Sequence, residues 1–122
     1  MFWDFVEFID LPSTMQELAN TIGLNATLAL LREFHGQNIY IPCKFSESHR
    51  IATIAGSSSL RLLIEDQGGL YLDFPRCVAA QTKGQIRELV SKGVKSRKAI
   101  ARECHKSVTH ISNCLAEMDF AV

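Results

Sequence analysis

One spaced pair of residues recurs in this chain and narrows the folds open to it. Gly36 is followed six positions on by Pro42, and the same arrangement returns 33 residues later as Gly69 and Pro75. The intervals, QNIYI and LYLDF, each carry a tyrosine and residues that favour an extended backbone, and proline ends each by removing a ladder donor. A leucine-rich helical stretch precedes each glycine. Leu24, Leu28, Leu31 and Phe34 recur at helical spacing over about Asn25 to Phe34, with Arg32 and Glu33 outside. Ser57-Ser58-Ser59 opens the second stretch, Leu60 to about Asp66, which Gly68-Gly69 stops. Two such units predict strands that pair into a small ribbon covered by helices. A two-stranded ribbon is marginal by itself and its open edge invites another copy of the chain, so a symmetric homodimer is expected.

Around these units the punctuation is local. Ser13 and Gln16 form a capping-box pattern ahead of a helix to about Thr21, which buries Met15, Leu18, Ala19 and Ile22 and stops at Gly23. Ser46 predicts the cap of a short helix from Glu47 to Ala55, stopped by Gly56. The first residues, MFWDFVEFID, concentrate Phe2, Trp3, Phe5 and Phe8 in a spacing that suits either a strand or a helical turn. Such an arm is packed on the core or offered to a partner. It holds Asp4, Glu7 and Asp10 and no basic start, so it does not read as a secretory signal. No apolar run approaches the roughly 20 residues of a membrane span. A cytoplasmic protein with no membrane partner is expected.

The stretch from Lys83 to Met118 has the pattern of a helix-turn-helix. One helix is predicted over about Gly84–Lys92, closed by Gly93, a second over RKAIAREC after the cap Ser96, and a third over VTHISNCLAEM after the cap Ser107. Ile100, Ala101 and Cys104 share one face of the second; Val108, Ile111, Cys114 and Leu115 share one face of the third. Ala101 supplies the small side chain where two helices cross closely. Four residues on, where glycine commonly takes the left-handed turn, this chain has His105.

Charge follows the same division. The chain is neutral overall, yet residues 1–82 carry five Lys/Arg against nine Asp/Glu, whereas residues 83–122 carry eight against four. The positive charge lies at Lys83, Arg87, Lys92, Lys95, Arg97, Lys98, Arg102 and Lys106. A basic segment coinciding with such helices is the footprint expected for phosphate contact. Of the four cysteines, Cys104 and Cys114 fall at apolar helix positions, and Cys43 and Cys77 each follow a proline closely. Their spacing matches no zinc framework, and no disulfide is expected in a cytoplasmic chain. Paired carboxylates, triads and phosphate loops are missing, and His35, His49, His105 and His110 are scattered. The chain therefore reads as a non-enzyme with no cofactor, metal or small-molecule ligand.

IGLNATLALLREFHGQNIYIP (22–42), HRIATIAG (49–56), LIEDQGGLYLDFPR (63–76) and SRKAIARECHKSVTHISNCLAEM (96–118), in this order, resemble the Mor transcription activator family of Mu-like phages. The resemblance implies a mainly α fold with a small β-ribbon (α+β): an N-terminal helix-and-strand dimerisation domain over 1–76, a linker over 77–83 and a C-terminal three-helix helix-turn-helix domain over 84–122. It also implies an activator that binds double-stranded promoter DNA as a homodimer and helps RNA polymerase start transcription. The ribbon would lie near DNA through Asn38, Tyr40 and Tyr71, although Asp73 beside them would be repelled by phosphate. Family recognition helices usually carry Lys or Arg, whereas residues 107–122 hold neither and add Glu117 and Asp119. Base reading then falls to Ser107, Thr109, His110, Ser112 and Asn113, and phosphate clamping to Arg97, Lys98, Arg102 and Lys106. The competing expectation is an interaction module of the same fold that has lost DNA reading and pairs with or antagonises a related regulator.

Overall fold

The computed structural model describes residues 2–118, so the Asp119 charge and the Phe2 ring invoked from the sequence lie outside the described residues. These residues form seven α-helices and one two-stranded antiparallel sheet, a mainly α architecture with a small β-ribbon. None of the described helices is long and apolar enough to cross a membrane. The chain divides into two compact units, residues 7–77 and residues 1–6 with 78–122. The expected boundaries need two corrections. Residues 1–6 belong with the C-terminal unit, not with the ribbon. The expected linker 77–83 is not a separate connection: it holds neither Gly nor Pro, as a helical reading of it requires, and from Val78 onward it is the start of a helix with Ala80 and Thr82 buried.

In the first unit a 3-10 turn, Phe8–Asp10, leads to α1 (Ser13–Ile22), α2 (Leu24–Phe34) and β1 (Gln37–Tyr40), followed by α3 (Arg50–Ala55), α4 (Ser57–Gln67) and β2 (Tyr71–Phe74). Several caps differ from expectation. The Ser13–Gln16 box does not form: Pro12 is the N-cap of α1, its carbonyl accepting from the Met15 and Gln16 amides, and the Gln16 side chain donates to the Phe8 carbonyl instead. The Ser46 hydroxyl pairs with that of Ser48 at 2.9 Å, and α3 starts late, capped by His49, whose Nδ1 accepts from the Ile51 amide at 3.1 Å. Helix α4 begins at Ser57 rather than Leu60, since Gly56 already serves as its N-cap.

Gly23 joins α1 to α2 at φ 93° and ψ 156°, and Gly56 joins α3 to α4 at φ 99° and ψ 155°. This backbone region is essentially closed to residues with a Cβ. The two joints are 33 residues apart, and so is much of the core. Leu18 and Ile51, Ala19 and Ala52, Leu30 and Leu63, and Ile41 and Phe74 are all buried. The ribbon pairs Gln37 with Phe74, Asn38 with Asp73, Ile39 with Leu72 and Tyr40 with Tyr71. Its ends are reciprocal. The Gly36 amide donates to the Phe74 carbonyl at 2.6 Å, and the Gly69 amide donates to the Ile41 carbonyl at 2.8 Å. A Cβ at Gly36 would meet the Arg76 side chain at 3.2 Å, and one at Gly69 would meet Cys43 Sγ at 3.1 Å.

In the second unit a 3-10 turn, Phe2–Phe5, packs along α5 (Val78–Ser91), followed by α6 (Arg97–Cys104) and α7 (Val108–Glu117). Trp3 and Val6 are buried, and Arg87 Nη1 on α5 donates to the Phe5 carbonyl at 3.1 Å. The start of the aromatic arm is thus packed on a core, while Phe8 and Ile9 remain exposed.

Candidate nucleic-acid interface

Helices α5, α6 and α7 surround one apolar cluster of Ile86, Ile100, Ala101, Cys104, Ile111, Cys114 and Leu115, bordered by Leu89, Val90, Val94 and Met118. The inward faces of α6 and α7 are those their apolar spacing predicts, except that Val108 is exposed at 42%. Both helix starts are capped as expected. Ser96 Oγ accepts from the Ala99 amide at 3.4 Å, and Ser107 Oγ accepts from the His110 amide at 3.0 Å. Three residues, His105 to Ser107, separate the helices. His105 takes the left-handed conformation, φ 56° and ψ 41°, and the Lys106 amide donates back to the Ala101 carbonyl at 3.0 Å. This closes α6 as a Schellman turn with histidine where glycine is usual. Gln85 Nε2 donates to the Glu103 carbonyl at 3.2 Å and fastens α5 to the end of α6.

The basic residues divide into two groups. Lys83 on α5 pairs with Glu117 on α7 at 3.0 Å, and Lys92 pairs with Glu88 one turn earlier at 2.9 Å. Arg87 is held by the Phe5 carbonyl, and Arg97 Nη1 donates to Ser112 Oγ at 3.3 Å. In contrast, Lys95, Lys98, Arg102 and Lys106 are exposed, and their side chains make no hydrogen bond or ion pair with another described residue. The fixed cations were not all legible in the sequence. Glu88 and Lys92 stand at i,i+4, a visible signal. The Lys83–Glu117 and Arg87–Phe5 contacts join residues far apart in the chain and had none.

The outer face of α7 is polar and uncharged over its first two turns. Thr109, His110 and Asn113 are exposed, and Ser112 is half-buried beneath Arg97. Ser107 is exposed but its hydroxyl oxygen already serves the helix cap. Asn113 presents an amide that can pair bidentately with an adenine edge, and Thr109 and His110 offer adaptable donors and acceptors. The sequence-derived set 97, 98, 102, 106, 107, 109, 110, 112 and 113 is thus brought onto α6, α7 and their connecting turn. Beneath it burial first, then neighbouring groups led by Cys114 for Cys104 and by Glu117 for Cys114, push both thiols above their ordinary range. Cys43, Cys77, Cys104 and Cys114 are all outside disulfides, and no described group of three His, Cys, Asp or Glu side chains is arranged to hold a metal ion.

The three ribbon candidates lie in the other unit. Asn38, Tyr40, Tyr71 and Asp73 are all exposed, alternating with the half-buried Ile39 and Leu72. The Tyr40 and Tyr71 rings meet edge to face at 5.3 Å, and Asn38 is directly opposite Asp73. The Tyr40 phenol lies 3.9 Å from Cys43 Sγ, and that contact is the main reason its pKa is raised. The Asp73 carboxylate therefore stands among the residues expected to approach a phosphate backbone. A shallow groove of about 500 Å³ in this unit is lined by Gly23, Leu24, Asn25, Ile54, Ala55 and Ser59 among others, with no charged side chain. Comparison of the chain with family models, with curated proteins and with solved structures gives no match.

Proposed function

We propose that this protein is a DNA-binding transcription regulator in which α6 and α7 act as a helix-turn-helix and α7 enters the major groove. One observation carries the reading: Lys95, Lys98, Arg102 and Lys106, on α6 and at its two ends, have no side-chain partner among the described residues, and the polar face of the next helix carries no Lys, Arg, Asp or Glu over its first two turns. Phosphate attraction then comes from α6 and its two ends, and base contact from Thr109, His110 and Asn113. The resemblance to the Mor activators extends the proposal to activation of phage or prophage middle or late promoters together with host RNA polymerase, in the cytoplasm.

Duplex DNA flanking the protein's own gene, titrated at rising salt, tests this. About four phosphate contacts give a log–log salt slope near −4, and Arg102→Ala or Lys106→Ala each reduce that slope by about 1. Asn113→Ala costs about 1–3 kcal/mol on the preferred sequence and leaves other duplexes unchanged. No binding at low salt to any such duplex rejects the reading. A second reading, a protein-interaction module of the same fold, is favoured by α7 having no Lys or Arg and placing Glu117 in an ion pair with Lys83. It predicts a copurifying regulator bound by protein that ignores DNA.

A further inference from the structure

The ribbon in residues 7–77 has the form of an interface between two copies of one unit, with both copies present in a single chain. The features that close its ends occur twice, 33 residues apart and reciprocally. Gly36 bonds Phe74 as Gly69 bonds Ile41, and Gly36 abuts Arg76 as Gly69 abuts Cys43. A shift of 33 turns Ile39 into Leu72, and these two residues face each other in the register. The pair therefore sits on the axis that exchanges the repeats. The joints Gly23 and Gly56 share one rare backbone conformation to within a few degrees. Leu30 and Leu63, and Ile41 and Phe74, are each 0% exposed, so the faces that a lone repeat would bury against a copy are already covered.

The two repeats lead into different segments. After Pro42 the chain turns through residues 43–49 and re-enters the scaffold at α3. Only after Pro75 does it proceed to α5, α6 and α7. Among the described residues, one two-fold scaffold thus carries one helical cluster.

We infer that residues 7–77 are a covalently joined equivalent of a two-fold dimer, so that, in place of the homodimer expected from the sequence, the protein acts as a monomer and offers one α6–α7 reader to a single, non-palindromic DNA site. The part concerning DNA rests on the function proposed above; the joined scaffold does not. The physical reason is concentration. Each strand meets its partner at an effective concentration in the millimolar range, about what a short connection provides, and dilution cannot separate them. The remaining edges are poor templates for a second copy, because each strand is only four residues long. An operator is palindromic when the protein has paired heads, and the described residues hold one such head.

Two measurements on the full chain test this. Sedimentation equilibrium over about a hundredfold dilution detects self-association, and the expected result is one 13.6 kDa species throughout. A species of twice that mass, whether by edge pairing or by exchange of repeats, overturns the inference. Selection from a random duplex pool is expected to return an asymmetric sequence bound by one chain, and a two-fold symmetric sequence bound by two chains overturns it. A monomer that retains no duplex upholds the joined scaffold and rejects the DNA-binding function, so the two failures are distinguishable.

Discussion

Residues 7–77 and the α5–α7 cluster both turn the chain between helices at glycines of positive φ, and the cluster differs in making one such turn with histidine. In residues 7–77 the joints are Gly23 and Gly56, each at a φ above 90° with no heavy atom near the place a Cβ would occupy. In the cluster the α5–α6 turn likewise has Gly93 at φ 90°, whereas the α6–α7 turn is made by His105 at φ 56°. The charges differ as well. Residues 7–77 carry five Lys/Arg against eight Asp/Glu, and the other unit carries eight against five. The first unit reads as a scaffold, in which repeated joints close a symmetric core and the exposed face is aromatic. The second tolerates a less relaxed turn and keeps a group of cations unpaired. Such a surface is a poor contribution to stability and a good one to binding an anion, since exposed pairs add little and unpaired cations retain their attraction.

Core truncation should break the comparison hardest. Leu30→Ala and Leu63→Ala occupy equivalent buried positions and should each cost about 2–5 kcal/mol in denaturant unfolding, within about 1 kcal/mol of each other. Unequal losses would show that the repeats are not energetically equivalent. Ile111→Ala should cost a similar amount and, under the proposed function, abolish DNA binding as well, which neither leucine variant should do where the fold persists. The joints give the next largest effect, and its sign should reverse between the glycine joints and His105. Gly23→Ala and Gly56→Ala should each lose about 1–3 kcal/mol to backbone strain, while His105→Gly should gain up to about 1 kcal/mol. Thermal denaturation of the three variants reads this directly.

The smallest effect concerns Cys77, which ends the scaffold unit. Burial pushes its thiol from 9.0 up to about 11. The folded state holds this proton more tightly than the unfolded state, so the stabilisation is full below pH 9 and is lost as pH rises towards 11. A loss on the order of 1 kcal/mol should appear between those values in pH-dependent unfolding, and Cys77→Ala should flatten it.

Much of the candidate site was legible because its signals are local. Ser96 and Ser107 are read as caps from a serine preceding an apolar-periodic run, and both hydroxyls accept the expected amides. Ser13 and Ser46 carry the same signal and fail. In each case a neighbour, Pro12 or His49, satisfies the helix start first, and a cap is a competition that one residue's type cannot decide. The face of the ribbon was also partly readable. The alternation in QNIY and YLDF puts Asn38 and Tyr40 on one side and Tyr71 and Asp73 on one side of their own strand. Nothing local says that Asn38 would meet Asp73 and Tyr40 would meet Tyr71, because register depends on both repeats closing at once.

Sequence by itself determined the helix and strand inventory, the 33-residue duplication, the inward faces of α6 and α7 and the charge asymmetry, all of which are properties of neighbouring residues or of composition. Only the tertiary structure decided that residues 1–6 pack with α5, that Lys83 and Arg87 are occupied while Lys98 and Lys106 are not, and that the two repeats complete each other within one chain. Periodicity reports which side of an element is apolar. The identity of what covers that side depends on contacts between residues tens of positions apart, where one apolar face can pack against any other of similar size and packing selects the partner.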